Sequence, residues 1–577
     1  MWMRASSLVV LFGLAAPGAL AACGVEDENP GGRRPGGPPD AAIGQGDVVA
    51  GLRCEDPTFV TATDLRRLDG TELANTYRAA FGDAVASELE PLMRLFGADG
   101  VRNDPRQLDP AFGSSQLDAI DRISRRIASL VGAGGEPLRV VAGGCSLEAP
   151  VTDVCVSDFV ARLGKRLFRR PLREEEKASH VETYRAGGSS NEGFAAVAAS
   201  MVLAPDFLYH VELGEPGSGD AARFALTSHE VAARVAYLLT DAPPDDALAA
   251  AADAGSLRDA ATLGAEVDRI LQTPLARAKV RRFVSYWLML ERFQGVPAAE
   301  AYLAGLDASG LATEMRRELD AFVDHIVYET SGTYKDLLTS RRSFAMTPAL
   351  SEIHGHAVPR DAAQAMSTDA LRMGILLRGP VLADGSTRTH PIVRGTFMLR
   401  RIVCNDIPSP SASDFASRDA DPFVPDPVKL SSVQTMNTQT AAPSCQGCHA
   451  SINPFGTVLE AFDNVGRARD KEIVFDAMGV KIAEHPVTIS AVVALGTNES
   501  VPVASPIELV DALAAGEAAP LCFTRHVYRF YRRQREDTNA NCELGAMYRA
   551  MQDPEGNILQ NIRASVVNVS LAERRVK

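Results

Sequence analysis

The run Thr227-Ser228-His229-Glu230-Val231-Ala232-Ala233-Arg234-Val235-Ala236-Tyr237-Leu238-Leu239-Thr240-Asp241-Ala242-Pro243-Pro244 sets the fold class. Its first four residues spell a capping box, in which the Thr227 hydroxyl satisfies an early helix amide while Glu230 reaches back to the cap. Val231, Val235 and Leu238 then share one face, and the helix should stop near Asp241 because two prolines cannot continue it. The same grammar recurs. Thr273-Pro274 reads as N-cap and first helical residue, with Val280, Phe283, Val284, Trp287 and Leu288 as a buried stripe. Residues 314–327 make another such helix, and the apolar stretch 193–203 is too short to span a bilayer and reads as a buried helix. Alternating Val/Ile-rich runs flanked by turn residues are scarce. The sequence therefore predicts a mainly α protein of several helical modules with few short strands.

At 577 residues the chain exceeds one hydrophobic core, and ordinary domain sizes suggest three to five structural units. Its net charge of -14 excludes a phosphate-backbone partner, so no nucleic acid is expected. No serine-histidine-carboxylate arrangement, phosphate-cradling loop or paired-carboxylate motif stands out, which removes support for a hydrolase.

At the N-terminus Arg4 precedes an apolar run, and Leu20-Ala21-Ala22-Cys23 resembles a bacterial lipobox. Residues 1–22 read as a lipoprotein signal peptide and Cys23 as the lipidated first residue. The expected location is the bacterial cell envelope, anchored in the membrane through that lipid. Gly24 points to the outer membrane, facing the periplasm or exterior. Residues 23–50 are Pro/Gly-rich with little to bury and read as a flexible tether. Export permits disulfides. Short loops favour Cys145–Cys155 and Cys522–Cys542, which leaves Cys54–Cys404 by remainder.

Cys445-Gln446-Gly447-Cys448-His449 carries the chemistry. Covalent haem attachment needs two thiols about one helical turn apart and an imidazole next in line for the iron. Cys445 and Cys448 are the expected attachment points of one haem c, and His449 the proximal iron ligand. Three alternatives compete. A zinc centre needs four ligands, and no second Cys-x-x-Cys or His pair lies nearby. A redox dithiol needs a βαβ context that is missing, and a haem-free Cys445–Cys448 disulfide would be a relic. For the distal ligand, Met478 and His485 downstream and Met436 upstream are candidates. Residues 405–444, rich in Pro, Ser, Asp and Thr, read as a long irregular connection into the motif. Asn453-Pro454-Phe455-Gly456 reads as a turn ending the haem helix, with Phe455 free to pack on the porphyrin. His354 and His356 form a His-x-His pair that reads as solvated loop residues, with metal binding as the alternative.

The segment 445–469, Cys-x-x-Cys-His-x-x-Ile-Asn-Pro-Phe-Gly-x-x-Leu-Glu-x-Phe-Asp-x-x-Gly-Arg-x-Arg, resembles the cytochrome-like domain of large planctomycete and myxobacterial surface proteins. Residues 66–82, 164–176 (with Arg-Leu-Phe-Arg-Arg-Pro-Leu-Arg-Glu-Glu-Glu), 237–257 (with Pro-Pro-Asp-Asp-Ala-Leu) and 522–529 resemble that family's other modules, in the same order. Arg394-Gly395, Cys404 and Ile407-Pro408 match the lead-in to the haem domain. The resemblance implies helical modules at 51–140, 141–215, 216–350 and 500–577, similar to the domains of unknown function 1587, 1595, 1592 and 1585. It also implies a cytochrome c-like haem domain of the 1588 type at 351–475. Two departures are His210, where the family more often has Arg, and 528–533, which lacks the usual Gly-Arg ending. Within this pattern Arg467, with Asp463, Arg469 and Arg394, is a candidate neighbour of the haem, an Asp-Arg brace of the helix end being the alternative.

These readings lead to electron transfer with an unidentified redox partner protein. A haem-dependent redox enzyme or its electron-feeding subunit is a second reading. A non-enzymatic envelope interaction protein with a vestigial haem site is the third.

Overall fold

Local capping chemistry is carried faithfully into the fold. In the computed structural model Thr227 accepts from the Glu230 amide and Glu230 from the Thr227 amide, and the helix runs Ser228–Thr240 before Asp241 turns left-handed. Thr273 caps Pro274–Trp287 through its hydroxyl alone, which accepts from the Ala276 amide. Residues 45–60, 65–96, 111–147, 150–188, 190–219, 222–293, 295–297, 299–361, 366–367, 370–408, 425–496, 499–568 and 571–575 are described. The expected signal peptide, Cys23 and the expected tether up to residue 44 lie outside them, as do residues 409–424 of the long connection.

The architecture is mainly α, and its strands pair only as short antiparallel two-stranded ribbons. All described residues belong to one compact unit. Gly70–Phe96, Ser114–Gly132, Asp153–Phe168 and Ser190–Val202 enclose a first core. Gly70–Phe96 bends at Gly82, whose φ of 82° suits glycine. A second, larger core extends from Ser228–Thr240 through the Cys445 region to Ile558–Val566. Tyr237, on the Ser228–Thr240 helix, packs into the first core and ties the two together. The final strand, Glu573–Arg575, pairs with Arg223–Ala225, so the chain end returns to the middle of the sequence.

Two expectations about the haem segment change. The connection is not irregular throughout, because Ser431 caps a helix at Ser432–Gln439. Asn453-Pro454-Phe455-Gly456 is not a turn: one helix runs Pro443–Leu459 straight through it. Pro454 orphans only the carbonyl of Ala450, an exposed residue that water can reach. Gly456 serves a crossing instead. A Cβ there would lie 2.2 Å from the Pro391 carbonyl oxygen, and one at Gly395 would lie 2.2 Å from that of Ile452. The helix Pro391–Phe397 thus meets the motif helix backbone to backbone.

Cys145 pairs with Cys155, as their spacing suggests. The other pairs are Cys54–Cys542 and Cys404–Cys522, which corrects both Cys522–Cys542 and Cys54–Cys404. Tertiary placement overrides loop length here. The ribbon of Val48–Val49 and Leu52–Arg53 lies on the helix Asn541–Gln552 and brings Cys54 to Cys542.

A buried ionic hub joins the modules. Arg533 places Nη2 2.9 Å from Asp69, 3.0 Å from Glu72 and 3.1 Å from Asp241. Arg282 bridges Asp241 at 2.8 Å and Asp69 at 3.0 Å, Lys279 bonds Asp241, and Arg66 holds Glu72 at 2.9 Å. Although the three carboxylates crowd closely enough to hold a cation, these guanidinium and ammonium groups already supply the positive charge. Both departures from the family pattern fall here. His210 faces Glu72 at 3.4 Å, and Arg533 takes a left-handed φ of 55° at the end of Ala518–Arg532.

Candidate functional site

The motif occupies the first turns of the Pro443–Leu459 helix, whose initial proline fills a position that lacks an amide partner in any case. Cys445, Cys448 and His449 lie within one helical turn, half-buried, with Ser444, Gln446, Gly447 and Ala450 exposed beside them. The other six cysteines of the described chain are joined in disulfides, while Cys445 and Cys448 remain thiols. That excludes the Cys445–Cys448 disulfide in this structure.

The imidazole of His449 is oriented by a relay. Thr440 donates its hydroxyl to the Met436 carbonyl at 2.9 Å, so its oxygen is free to accept. The Asn453 amide donates to Thr440 Oγ1 at 2.9 Å and to Asn437 Oδ1 at 3.2 Å. Asn453 Oδ1 therefore faces His449 Nδ1, 3.0 Å away, as an acceptor. In the neutral imidazole this places the proton on Nδ1 and the lone pair on Nε2, the tautomer a metal-ligating histidine needs. Asn453, Thr440 and Asn437 were not singled out from sequence. The i,i+4 spacing of Asn453 from His449 on a continuous helix is the signal that points to it, and the expected turn at 453–456 hides that spacing.

The far end of the helix is held by buried arginine. Arg394 donates to the carbonyls of Leu459 at 2.9 Å, Phe462 at 2.8 Å, Asp463 at 2.9 Å and Leu382 at 2.7 Å. It also pairs with Glu460 at 3.1 Å, which in turn accepts from Arg469 at 2.7 Å. These groups satisfy carbonyls that a helix terminus leaves without partners.

Most of the remaining candidates serve other parts of the fold. Arg467 pairs with Asp463 at 2.9 Å and donates to the Leu303 and Tyr302 carbonyls, so it braces the chain after the helix. Phe455 is fully buried in the large core, and its ring contributes packing there. Met478 is 84% exposed at a hairpin tip, because it occupies the turn between Lys471–Phe475 and Lys481–Pro486. His485 bonds the Pro427 carbonyl at 2.9 Å. Met436 is buried on Ser432–Gln439, the helix that packs beside the motif helix. His354 is wholly buried, which corrects the expectation of a solvated pair. His354 and His356 flank the Ser343 hydroxyl at 2.7 and 2.9 Å, and burial, then Arg372 and Arg378, holds the His354 pKa well below its ordinary value.

Stacked helical modules surround a helix that presents two thiols and an oriented imidazole. Residues 155–212 match the family PSD5, a protein of unknown function (DUF1595). Residues 226–355 match PSD4, a protein of unknown function (DUF1592), and residues 372–472 match PSCyt3, a protein of unknown function (DUF1588). The chain belongs to the family that strings these three domains together, and the matches span half of its length. No curated protein and no solved structure matches it. The motif helix lies wholly inside the PSCyt3 match.

Proposed function

We propose that this protein is an envelope electron carrier with one haem c bound covalently to Cys445 and Cys448, His449 Nε2 being the proximal iron ligand. The observation that carries the reading is the pair of unbridged thiols beside an imidazole whose tautomer is set by Asn453, Thr440 and Asn437. The donor set fits. Two thiols one turn apart suit two vinyl groups, and the half-exposed motif face leaves them accessible. When bound, the haem supplies reversible one-electron chemistry. The chain's residues fix the imidazole through Asn453, anchor the helix through Arg394 and present the haem edge to a partner protein. Cys23 attaches the chain to the membrane by its lipid; among the described residues no helix is long and apolar enough to cross one.

The test is the pyridine haemochrome spectrum of the chain exported to a periplasm that assembles c-type cytochromes. A spectrum of two thioether bonds, lost in Cys445→Ala/Cys448→Ala, is expected; no haem in the intact chain would end the proposal. Reduced protein that is reoxidised catalytically by peroxide would replace the carrier with a redox enzyme.

A further inference from the structure

Away from the motif, a cleft of about 650 Å³ opens between Gly70–Phe96, Asp153–Phe168, the Pro243-Pro244 turn and Asp246–Asp253. Its charge runs against that of the protein. The chain carries a net -14, yet Arg78, Arg162, Lys165 and Arg166 line this one space. The acids nearby are largely committed. Asp253 takes Lys165 and His229, while Asp245 is bound by Arg269 and caps the Leu248 amide. Of the two acids on the wall, Asp246 makes no ion pair among the described residues.

Arg162 and Arg166 stand one turn apart on one helix, so their charges face the same space. Arg162 donates to the Val141 carbonyl at 3.0 Å, and burial, then Arg166, disfavours its charged form, opposed by Asp158. Arg166 makes no ion pair among the described residues. Two like charges side by side, without a carboxylate between them, leave a position that an anion would stabilise. Apart from Asn75, Arg169 and His229, the remaining walls are small and apolar, formed by residues such as Ala79, Ala232, Pro243, Pro244, Ala249 and Leu275. The volume lies within the ordinary range for small-molecule sites, and far exceeds what a bare inorganic anion fills.

We infer that this cleft binds an amphipathic anion, with a carboxylate or phosphate head at the Arg162 and Arg166 guanidinium groups and an apolar body along the alanine and proline walls. The site is separate from the haem motif and does not depend on it.

Calorimetric titration of the full mature chain with octanoate, octyl phosphate, octanol and inorganic phosphate tests this. Saturable binding of at least one of the two anionic probes is expected, and the tighter one names the head group. Octanol and inorganic phosphate should each bind at least about tenfold more weakly, the loss of one charge-assisted contact or of the apolar burial. Arg162→Gln/Arg166→Gln should weaken the anionic probe by about tenfold or more. Should that variant not fold, Ala249→Phe fills the cleft without touching a charge and should abolish binding. Absence of saturable binding, equal affinity for octanol, equal affinity for inorganic phosphate, or unchanged binding in the variants would overturn the inference.

Discussion

Gly456→Ala sets two effects of opposite sign against each other. In an exposed helix interior, replacing glycine by alanine stabilises by about 1 kcal/mol, because the unfolded chain loses less freedom on folding. At position 456 the new Cβ would sit 2.2 Å from the Pro391 carbonyl oxygen and 2.8 Å from its carbon. The obstacle is backbone, so no side chain can rotate away. Relief requires the Pro391–Phe397 helix to retreat by roughly 1 Å, which loosens the interdigitated crossing; overpacking of this kind costs about 1–3 kcal/mol. The upper end applies to a backbone clash, and the net is a destabilisation of about 2 kcal/mol. Gly447 supplies the control. It lies on the same helix with nothing within 4 Å of a Cβ, so Gly447→Ala should stabilise by up to about 1 kcal/mol. Urea unfolding followed by circular dichroism, comparing midpoints at equal slope, reads both. If Gly456→Ala gains stability as Gly447→Ala does, the backbone crossing is wrong.

His210 gives a pH dependence. Burial, then Arg66, pushes its pKa down to about 4, against Glu72, which raises it. The folded state therefore binds this proton less readily than the unfolded chain. Stability should be complete above pH 6.5 and fall by about 3 kcal/mol as pH drops to about 4, and a His210→Gln variant with the same slope would contradict this. Asp241→Asn leaves Lys279, Arg282 and Arg533 short of a carboxylate in the hub. Loss of about 3–5 kcal/mol is expected in chemical unfolding, and a change below 1 kcal/mol would show that the hub is hydrated. Cys54→Ser/Cys542→Ser should lower stability by about 2–5 kcal/mol and open the N-terminal ribbon to proteolysis. Unaltered cleavage near residue 54 would indicate that packing on Asn541–Gln552 suffices alone.

What the sequence disclosed follows the range of the interactions involved. Capping boxes and proline starts act within four residues, so Thr227, Glu230, Thr273 and Pro274 announced their helices correctly. Cys145 and Cys155 lie 10 residues apart and were legible for the same reason. Cys54 and Cys542 are 488 residues apart, and no local signal brings them together. The segment 453–456 misled because Pro454 and Gly456 have turn chemistry in isolation. In the fold, Gly456 answers to the Pro391 backbone, a partner 65 positions away in sequence. Arg533 lies in the charge-rich run Tyr-Arg-Arg-Gln-Arg-Glu-Asp, in which no local signal marks one arginine as buried. Only the tertiary arrangement shows that this one arginine is buried among three acids.

The hub and the Arg394 anchor solve one physical problem in two places. Where a helix ends inside a protein, its last carbonyls lack partners, and apolar side chains cannot supply them. A planar guanidinium with several donors can satisfy such carbonyls together with others nearby, as Arg394 does for Leu459 and Leu382 at two helix ends and for Phe462 and Asp463 in the chain that follows the motif helix. Its own charge must then be balanced, which Glu460 does. Apolar packing tolerates sliding between helices, whereas directional bonds to several partners fix one register. The consequence is asymmetric. The Leu459 end of the motif helix is fixed within the core, and the Cys445 end stays half-exposed, which leaves the thiol pair accessible as the proposed function requires. The hub applies the same logic between modules: Asp69, Asp241, Arg282 and Arg533 come from three widely separated stretches and are satisfied only together. No module can complete its own buried charge set alone, so the modules of this chain should fold as interdependent parts of one unit rather than as beads on a string.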